Sequence, residues 1–205
     1  MKLAFEEGIT RSTVEIHQVV NSLYRSCTYV ITHDSESWLV DCGDVEPLLH
    51  LIGDNALRGV LLTHGHYDHI YGLNTLMTLF PSLVIFTNEA GKGELLNDKW
   101  NFSKYLNAPF ILQEPERVRL VNDGETVELF DNMKAVPVFT PGHSPSCVTW
   151  VVGNAVFTGD SYIPGVKTVT NFPVSDKGQA AASEIIIRDL VSLYDVYPGH
   201  APELE

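Results

Sequence analysis

The run Thr63-His64-Gly65-His66-Tyr67-Asp68-His69 constrains this chain more than any other feature. Within six residues it places three imidazoles and a carboxylate, all able to hold a metal. It directly follows Arg58-Gly59-Val60-Leu61-Leu62-Thr63, a short apolar stretch that reads as a buried strand. Imidazole nitrogen and carboxylate oxygen together suit Zn²⁺, with Fe and Mn as competitors. On a tight loop His64 and His66 can converge on one point, while Asp68 and His69 turn toward a second point beside it. Ile70 to Phe80, with Leu73, Leu76, Met77 and Phe80 at helical spacing and Pro81 behind them, predicts a helix. Its positive end would favour the Asp68 carboxylate and disfavour protonation of His69, keeping both competent as ligands.

Three later segments repeat the order of strand, turn and ligand. They are Thr140-Pro141-Gly142-His143, Thr158-Gly159-Asp160 and Tyr197-Pro198-Gly199-His200. In each a glycine stands immediately before the candidate ligand, where it lets the backbone turn sharply and come close to a site. His17, His33 and His50 belong to no such pattern and read as ordinary polar side chains.

Between these points the chain alternates strands and helices. Val14 to Val20 has the period of a half-buried strand, and Ser26 to Thr32 with Ser37 to Asp41 reads as a hairpin. Glu46 to Ile52 reads as a helix, Leu83 to Phe86 as a strand, and Asn88-Glu89-Ala90 as the start of a short helix. Strands at Arg117 to Val121 and Thr126 to Phe130 are joined by Asn122-Asp123-Gly124-Glu125, a tight-turn signal. Met133 to Thr140, Cys147 to Val152 and Ala155 to Thr158 continue the β-rich half. Gly178 to Tyr194 is the longest helix candidate, with Ile186, Ile187, Leu190 and Tyr194 on one face, and Asp195 to Tyr197 a closing strand. There is more strand here than a doubly wound fold would give. An α/β sandwich of two sheets with outer helices fits the order, as one domain over residues 1–205, with Leu204-Glu205 read as a cloning remnant.

The H-x-H-x-D-H run, the T-P-G-H, the F-T-G-D and the closing P-G-H, in that order, resemble the metallo-β-lactamase superfamily, and within it the short glyoxalase II-like hydrolases. The resemblance implies a four-layer αβ/βα sandwich with two mixed sheets and a pair of metals at one edge. It implies that His64, His66 and His143 bind one ion, that Asp68, His69 and His200 bind a second, and that Asp160 bridges both. Asp41, in Val40-Asp41-Cys42-Gly43-Asp44, resembles the strand-end aspartate that supports the metal loop by hydrogen bonding, although turn chemistry alone would also explain it. The implied cofactors are two Zn²⁺, with Fe or Mn as alternatives.

Two divalent ions about 3.5–4 Å apart can share a water and bring its pKa toward about 7, which supplies hydroxide at neutral pH. The expected activity is therefore hydrolysis of a small ester, thioester or lactone by a metal-bridging hydroxide, with Asp68 as a proton acceptor. Lactamases of this superfamily generally lack an aspartate at the Asp160 position, so antibiotic hydrolysis is not expected. Full-length glyoxalase II enzymes carry a helical domain after the bridging aspartate that contacts glutathione. His200 falls close to the end of this chain, so that domain is not expected either. The alternative is a persulfide dioxygenase with one iron on two histidines and an aspartate; a non-catalytic metal scaffold is a third reading, disfavoured by the complete ligand set. The segment Glu94 to Phe110 is expected at the rim of the site, with Trp100, Phe102 and Tyr105 as candidates for an apolar wall, and Ser161 to Pro173, with Tyr162 and Lys167, at the opposite rim.

Composition narrows the partners. Thirteen Lys and Arg against 26 Asp and Glu give a net charge of −13, and no basic cluster exists to hold phosphates, so a nucleic-acid partner is not expected. No apolar run approaches the ~20 residues of a membrane-spanning helix, and the N-terminus turns acidic too soon for a secretory signal, which points to the cytoplasm. Cys27, Cys42 and Cys147 are odd in number and widely spaced, as for reduced, buried thiols. Oligomeric state has no signature in the sequence.

Overall fold

The computed structural model describes residues 14–202. The expectation for Leu204-Glu205 lies outside the described residues. Six strands form the first sheet in the order β1 (Glu15–Val20), β2 (Cys27–His33), β3 (Glu36–Val40), β4 (Ala56–Leu61), β5 (Val84–Thr87), β6 (Val118–Leu120). β1, β2 and β3 pair antiparallel, and β3 to β6 pair parallel. The second sheet runs β11 (Asp195–Pro198), β10 (Ala155–Gly159), β9 (Val148–Val152), β8 (Met133–Phe139), β7 (Val127–Phe130), parallel only between β10 and β11. The helices are α1 (Val45–Ile52), α2 (Leu73–Leu79), α3 (Glu89–Leu95) and α4 (Lys177–Val191).

Strand periodicity explains the layers. Along β2, Tyr29 and Ile31 join the core between the sheets while Val30 joins the core beneath the helices; on β3, Trp38 and Val40 part from Leu39 in the same way. Residues buried on both faces read as continuous apolar runs, as expected for strands covered from either side. Helices α1 and α2 bury Leu48, Ile52, Leu73, Leu76 and Met77 on the first sheet. The architecture is the αβ/βα sandwich. Two buried indoles cross-tie the sheets: Trp38 Nε1 donates to the Leu129 carbonyl and Trp150 Nε1 to the Leu62 carbonyl, each at 2.9 Å. Neither N–H is left unpaired in the core.

Three local expectations are corrected. The helix expected over Ile70 to Phe80 begins only at Leu73, because a 3₁₀ turn at Tyr67–His69 and a close pass of Gly72 against Gly43 intervene. The turn at residues 122–125 does not close a hairpin, since β6 and β7 lie in different sheets. It is pinned instead to β8, with Gly124 N donating to Pro137 O at 2.8 Å and Phe139 N to Asp123 Oδ1 at 2.7 Å. On α4 the inward face is Ala180, Ser183 and Ile187, while Ile186 is exposed.

Candidate metal centre

Every candidate ligand lies just beyond a strand end on one rim of the sandwich. His64 and His66 leave β4, His143 follows β8, Asp160 follows β10, and His200 follows β11. Asp68 and His69 sit in the 3₁₀ turn at Tyr67–His69. That run is tied down from outside, since Ser26 Oγ donates to the Asp68 carbonyl at 2.7 Å and Cys42 N to the His69 carbonyl at 2.8 Å. Two glycines are required by contact. Gly142 has φ +139°, and a Cβ there would meet the Ala180 backbone nitrogen at 2.3 Å. A Cβ on Gly199 would meet Asp160 Oδ1 at 2.2 Å.

The donors close on one another. His66 Nδ1 and His143 Nε2 are 2.9 Å apart, and His143 Nε2 is 3.4 Å from Asp160 Oδ2. His69 Nε2 is 3.4 Å from Asp160 Oδ1, 3.5 Å from Asp68 Oδ2 and 3.4 Å from His200 Nε2. His200 Nε2 is 3.3 Å from both Asp68 Oδ2 and Asp160 Oδ2. A tetrahedral site with bonds of ~2.0–2.1 Å has ligand–ligand edges of ~3.3–3.4 Å. His64 with His66 and His143, His64 with His69 and Asp160, and Asp68 with His69 and His200 are each close enough to hold one ion.

The outer ring nitrogens explain why lone pairs point inward. The Nδ1–H of His143 donates to the Val169 carbonyl at 2.9 Å and that of His200 to the Tyr24 carbonyl at 2.8 Å. In the neutral ring each Nε2 is then an acceptor facing other acceptors. Asp41 does the same for the run itself. Its carboxylate accepts from His69 Nδ1 at 2.9 Å, from Thr63 N at 2.8 Å and from Thr63 Oγ1 at 2.7 Å. Thr63 Oγ1 in turn accepts from His64 Nδ1 at 3.1 Å. Asp41 holds φ +60°, a left-handed conformation that a short polar residue tolerates better than most.

Electrostatics agree with a cation site. Burial, reinforced by neighbouring imidazoles, keeps His64 and His66 well below the usual histidine range, so they stay neutral. Burial acts to lower His69 too, but the Asp68 and Asp160 charges outweigh it and push His69 well above that range. This corrects the expectation that a helix end disfavours its protonation: α2 starts four positions later, beyond the reach of its terminal dipole. Asp160 is held well below the carboxylate range by His69 and His200 despite its burial. His64 Nε2 and Asp160 Oδ1 are buried without a hydrogen-bond partner. Converging lone pairs and orphaned buried atoms fit a metal, which would satisfy them all at once.

A cavity of about 550 Å³ opens over these donors. Phe102 and Tyr105 line it as expected, joined by Leu106, Val169, Phe172 and Tyr24. Trp100 does not: it borders a separate recess with Gly93 and Pro145. Nor does Tyr162, whose ring lies 5.8 Å from the Arg188 guanidinium carbon. Lys167 borders a small recess that it shares with His143, Asp160 and Val169. His17, His33 and His50 stay outside the cluster; His17 lies 3.3 Å from Glu15 and His50 Nδ1–H donates to Glu46 O. All three cysteines are buried free thiols.

The sequence reading missed Glu94. This buried carboxylate of α3 accepts from Gly65 N at 2.9 Å and, over short distances, from the hydroxyls of Ser144 and Ser146. It joins the His64–His66 loop to the His143 loop. Burial pushes its pKa up against the pull of those donors. The only hint in sequence was an acidic residue beside Leu95 on a helix's inward face.

A family model described as the metallo-beta-lactamase superfamily matches residues 23–200. The chain belongs to the metallo-β-lactamase superfamily. It is 29% identical to a hydroxyacylglutathione hydrolase of Hydrogenovibrio crunogenus across 82% of this chain and 54% of that protein. The chain thus spans about half the length of the curated relatives it matches. Among solved structures it superposes on the BLEG-1 B3 metallo-beta-lactamase with a TM-score of 0.81, at 24% identity and 92% coverage of each chain. TTHA1623, solved in a di-iron-bound form, gives a TM-score of 0.74 at 26% identity, covering 91% of this chain and 92% of that one. Among the described residues no helix is long and apolar enough to cross a membrane.

Proposed function

We propose that this superfamily member is a binuclear metal-dependent hydrolase of small esters, thioesters or lactones, working with two zinc ions in the cytoplasm. The observation that carries the reading is the meeting of seven metal-capable side chains from four strand ends, with nitrogen and oxygen atoms of six of them 2.9–3.5 Å from a neighbour. His64, His66 and His143 would hold one ion and Asp68, His69 and His200 the other; Asp160 stands between the groups, its Oδ2 3.4 Å from His143 Nε2 and 3.3 Å from His200 Nε2. When bound, such ions polarise a substrate carbonyl and make water nucleophilic at neutral pH.

The chain's own residues do the rest. Asp41 and the carbonyls of Val169 and Tyr24 fix the ring orientations, so little reorganisation remains when the ligands act. Asp68, at the cavity wall, is the proton acceptor as the scissile bond breaks. The aromatic wall excludes water and seats the substrate. The net charge of −13 disfavours nucleic acid as substrate.

Elemental analysis of protein loaded with zinc, with a panel of thioesters, lactones, phosphodiesters and persulfides, tests this. Two zinc per chain with ester, thioester or lactone turnover is expected. Asp160→Ala should lose one metal equivalent and most turnover. A single iron with oxygen uptake on a persulfide would replace the hydrolase by a dioxygenase.

A further inference from the structure

The cavity wall is chemically one-sided. Apart from the ligands themselves, its lining is Tyr24, Tyr67, Phe102, Tyr105, Leu106, Val169, Phe172 and Pro173, without a lysine or arginine among the described residues. A substrate with carboxylates or phosphates remote from its reacting centre finds no cationic side chain there.

Phe102 is built into this wall at a cost. It has φ +66°, a left-handed conformation unusual for a bulky side chain. Buried polar anchors on either side enforce it. Asn101 Nδ2 donates to the carbonyls of Glu94 and Phe110, both at 3.0 Å, and Ser103 Oγ accepts from Phe110 N at 2.8 Å. The result aims the Phe102 ring at His66, with centroids 4.8 Å apart. Phe172 arrives from the opposite loop and lies 4.8 Å from Phe102 at an interplanar angle of 31°. Its ring also packs 5.5 Å from His143. The two phenyl rings meet as a continuous shelf beside the His66–His143 half of the centre, so they are too close to each other to sandwich a ligand between them.

We propose that this shelf is the specificity element of the site, and that it selects uncharged substrates carrying an apolar acyl arm. The proposal rests on the hydrolase reading and names its substrate class. The reacting carbonyl faces the donor cluster, and the acyl chain lies along Phe102 and Phe172 toward Tyr105 and Leu106. Each additional methylene seated there should raise kcat/KM about three- to fourfold until the wall is covered.

The test uses zinc-loaded protein with acetyl, butanoyl and hexanoyl thioesters of a neutral thiol, and with the same acyl groups on glutathione. Activity should climb with chain length, and the neutral thiol should be preferred at least tenfold. Phe102→Ala and, separately, Phe172→Leu should each lower the hexanoyl-to-acetyl ratio of kcat/KM, the former by tenfold or more; thermal unfolding confirms that the variants fold. Calorimetric binding of hexanamide, which is not turned over, gives a second readout. It should show a negative heat-capacity change that shrinks in Phe102→Ala. A profile flat in chain length, or a preference for glutathione, overturns the proposal and leaves the hydrolase standing. Hexanamide binding that depends on Phe102, without turnover of any panel member, upholds the apolar seat and overturns the hydrolase.

Discussion

Removing the Glu94 side chain should loosen two ligand loops together. In Glu94→Ala three buried donors lose their acceptor: Gly65 N and the hydroxyls of Ser144 and Ser146. Partial compensation is at hand, because Ser144 Oγ and Ser146 Oγ are 2.9 Å apart and Gly65 N lies 3.2 Å from Ser146 Oγ. One or two donors therefore stay unpaired at ~1–3 kcal/mol each, and relief of a buried charge returns part of that. The expected net loss is about 2–4 kcal/mol. For a chain of 205 residues this lowers Tm by roughly 4–16 °C. Glu94→Gln, which keeps one carbonyl acceptor, should recover about half. Because the loops carry His64, His66 and His143, the alanine variant should also release metal faster on dialysis against a chelator, which a loss of stability elsewhere would not produce. An unfolding free energy within ~0.5 kcal/mol of the parent, with unchanged metal retention, would refute the clamp.

Gly142→Ala must place a methyl group on the Ala180 backbone, so chemical denaturation should show a loss above ~2 kcal/mol, whereas Gly53→Ala, with open space around it, should cost only ~1 kcal/mol for its positive φ. Asp44 accepts from Tyr71 Oη at 2.6 Å and from Ser22 N at 2.7 Å, and these bonds outweigh burial to hold its carboxyl below the usual aspartate range. A depressed acid stabilises the fold above its unfolded pKa and loses that contribution as pH falls through its folded pKa. Asp44→Asn should therefore be less stable than the parent at pH 7, and the two unfolding curves should converge as pH falls through the depressed pKa of Asp44.

Strand composition made most strands legible: alternation marked Val14 to Val20, β-rich stretches marked β2 and β3, and a continuous apolar run marked β4, while Tyr29, Ile31 and Val30 divide between two cores as alternation requires. The donor cluster was legible because its members stand past strand ends, four of them (His66, His143, Asp160 and His200) directly after a glycine, so local chemistry coincided with tertiary placement. The start of α2 was not, since the periodic residues Leu73, Leu76 and Met77 continue a pattern that the turn at Tyr67–His69 interrupts for reasons of contact. Glu94 and Phe172 fall in segments expected at the rim, but their individual roles were not legible, for a related reason. What they touch, Ser144 and Ser146 in one case and Phe102 and His143 in the other, lies 29–70 residues away and leaves no trace in local spacing.

The placement of the donors on strand ends, and of the aromatic shelf on two excursions between elements, divides the molecule by how freely it can change. A residue inserted near His64 or Asp160 would swing a donor off target, because both sheets enforce register there. The excursions around Phe102 and Phe172 can swap the side chains on their cavity face while the donors stay fixed, provided the Val169 carbonyl still orients His143. A lineage built on this frame can exchange what it recognises without rebuilding the reactive floor beneath.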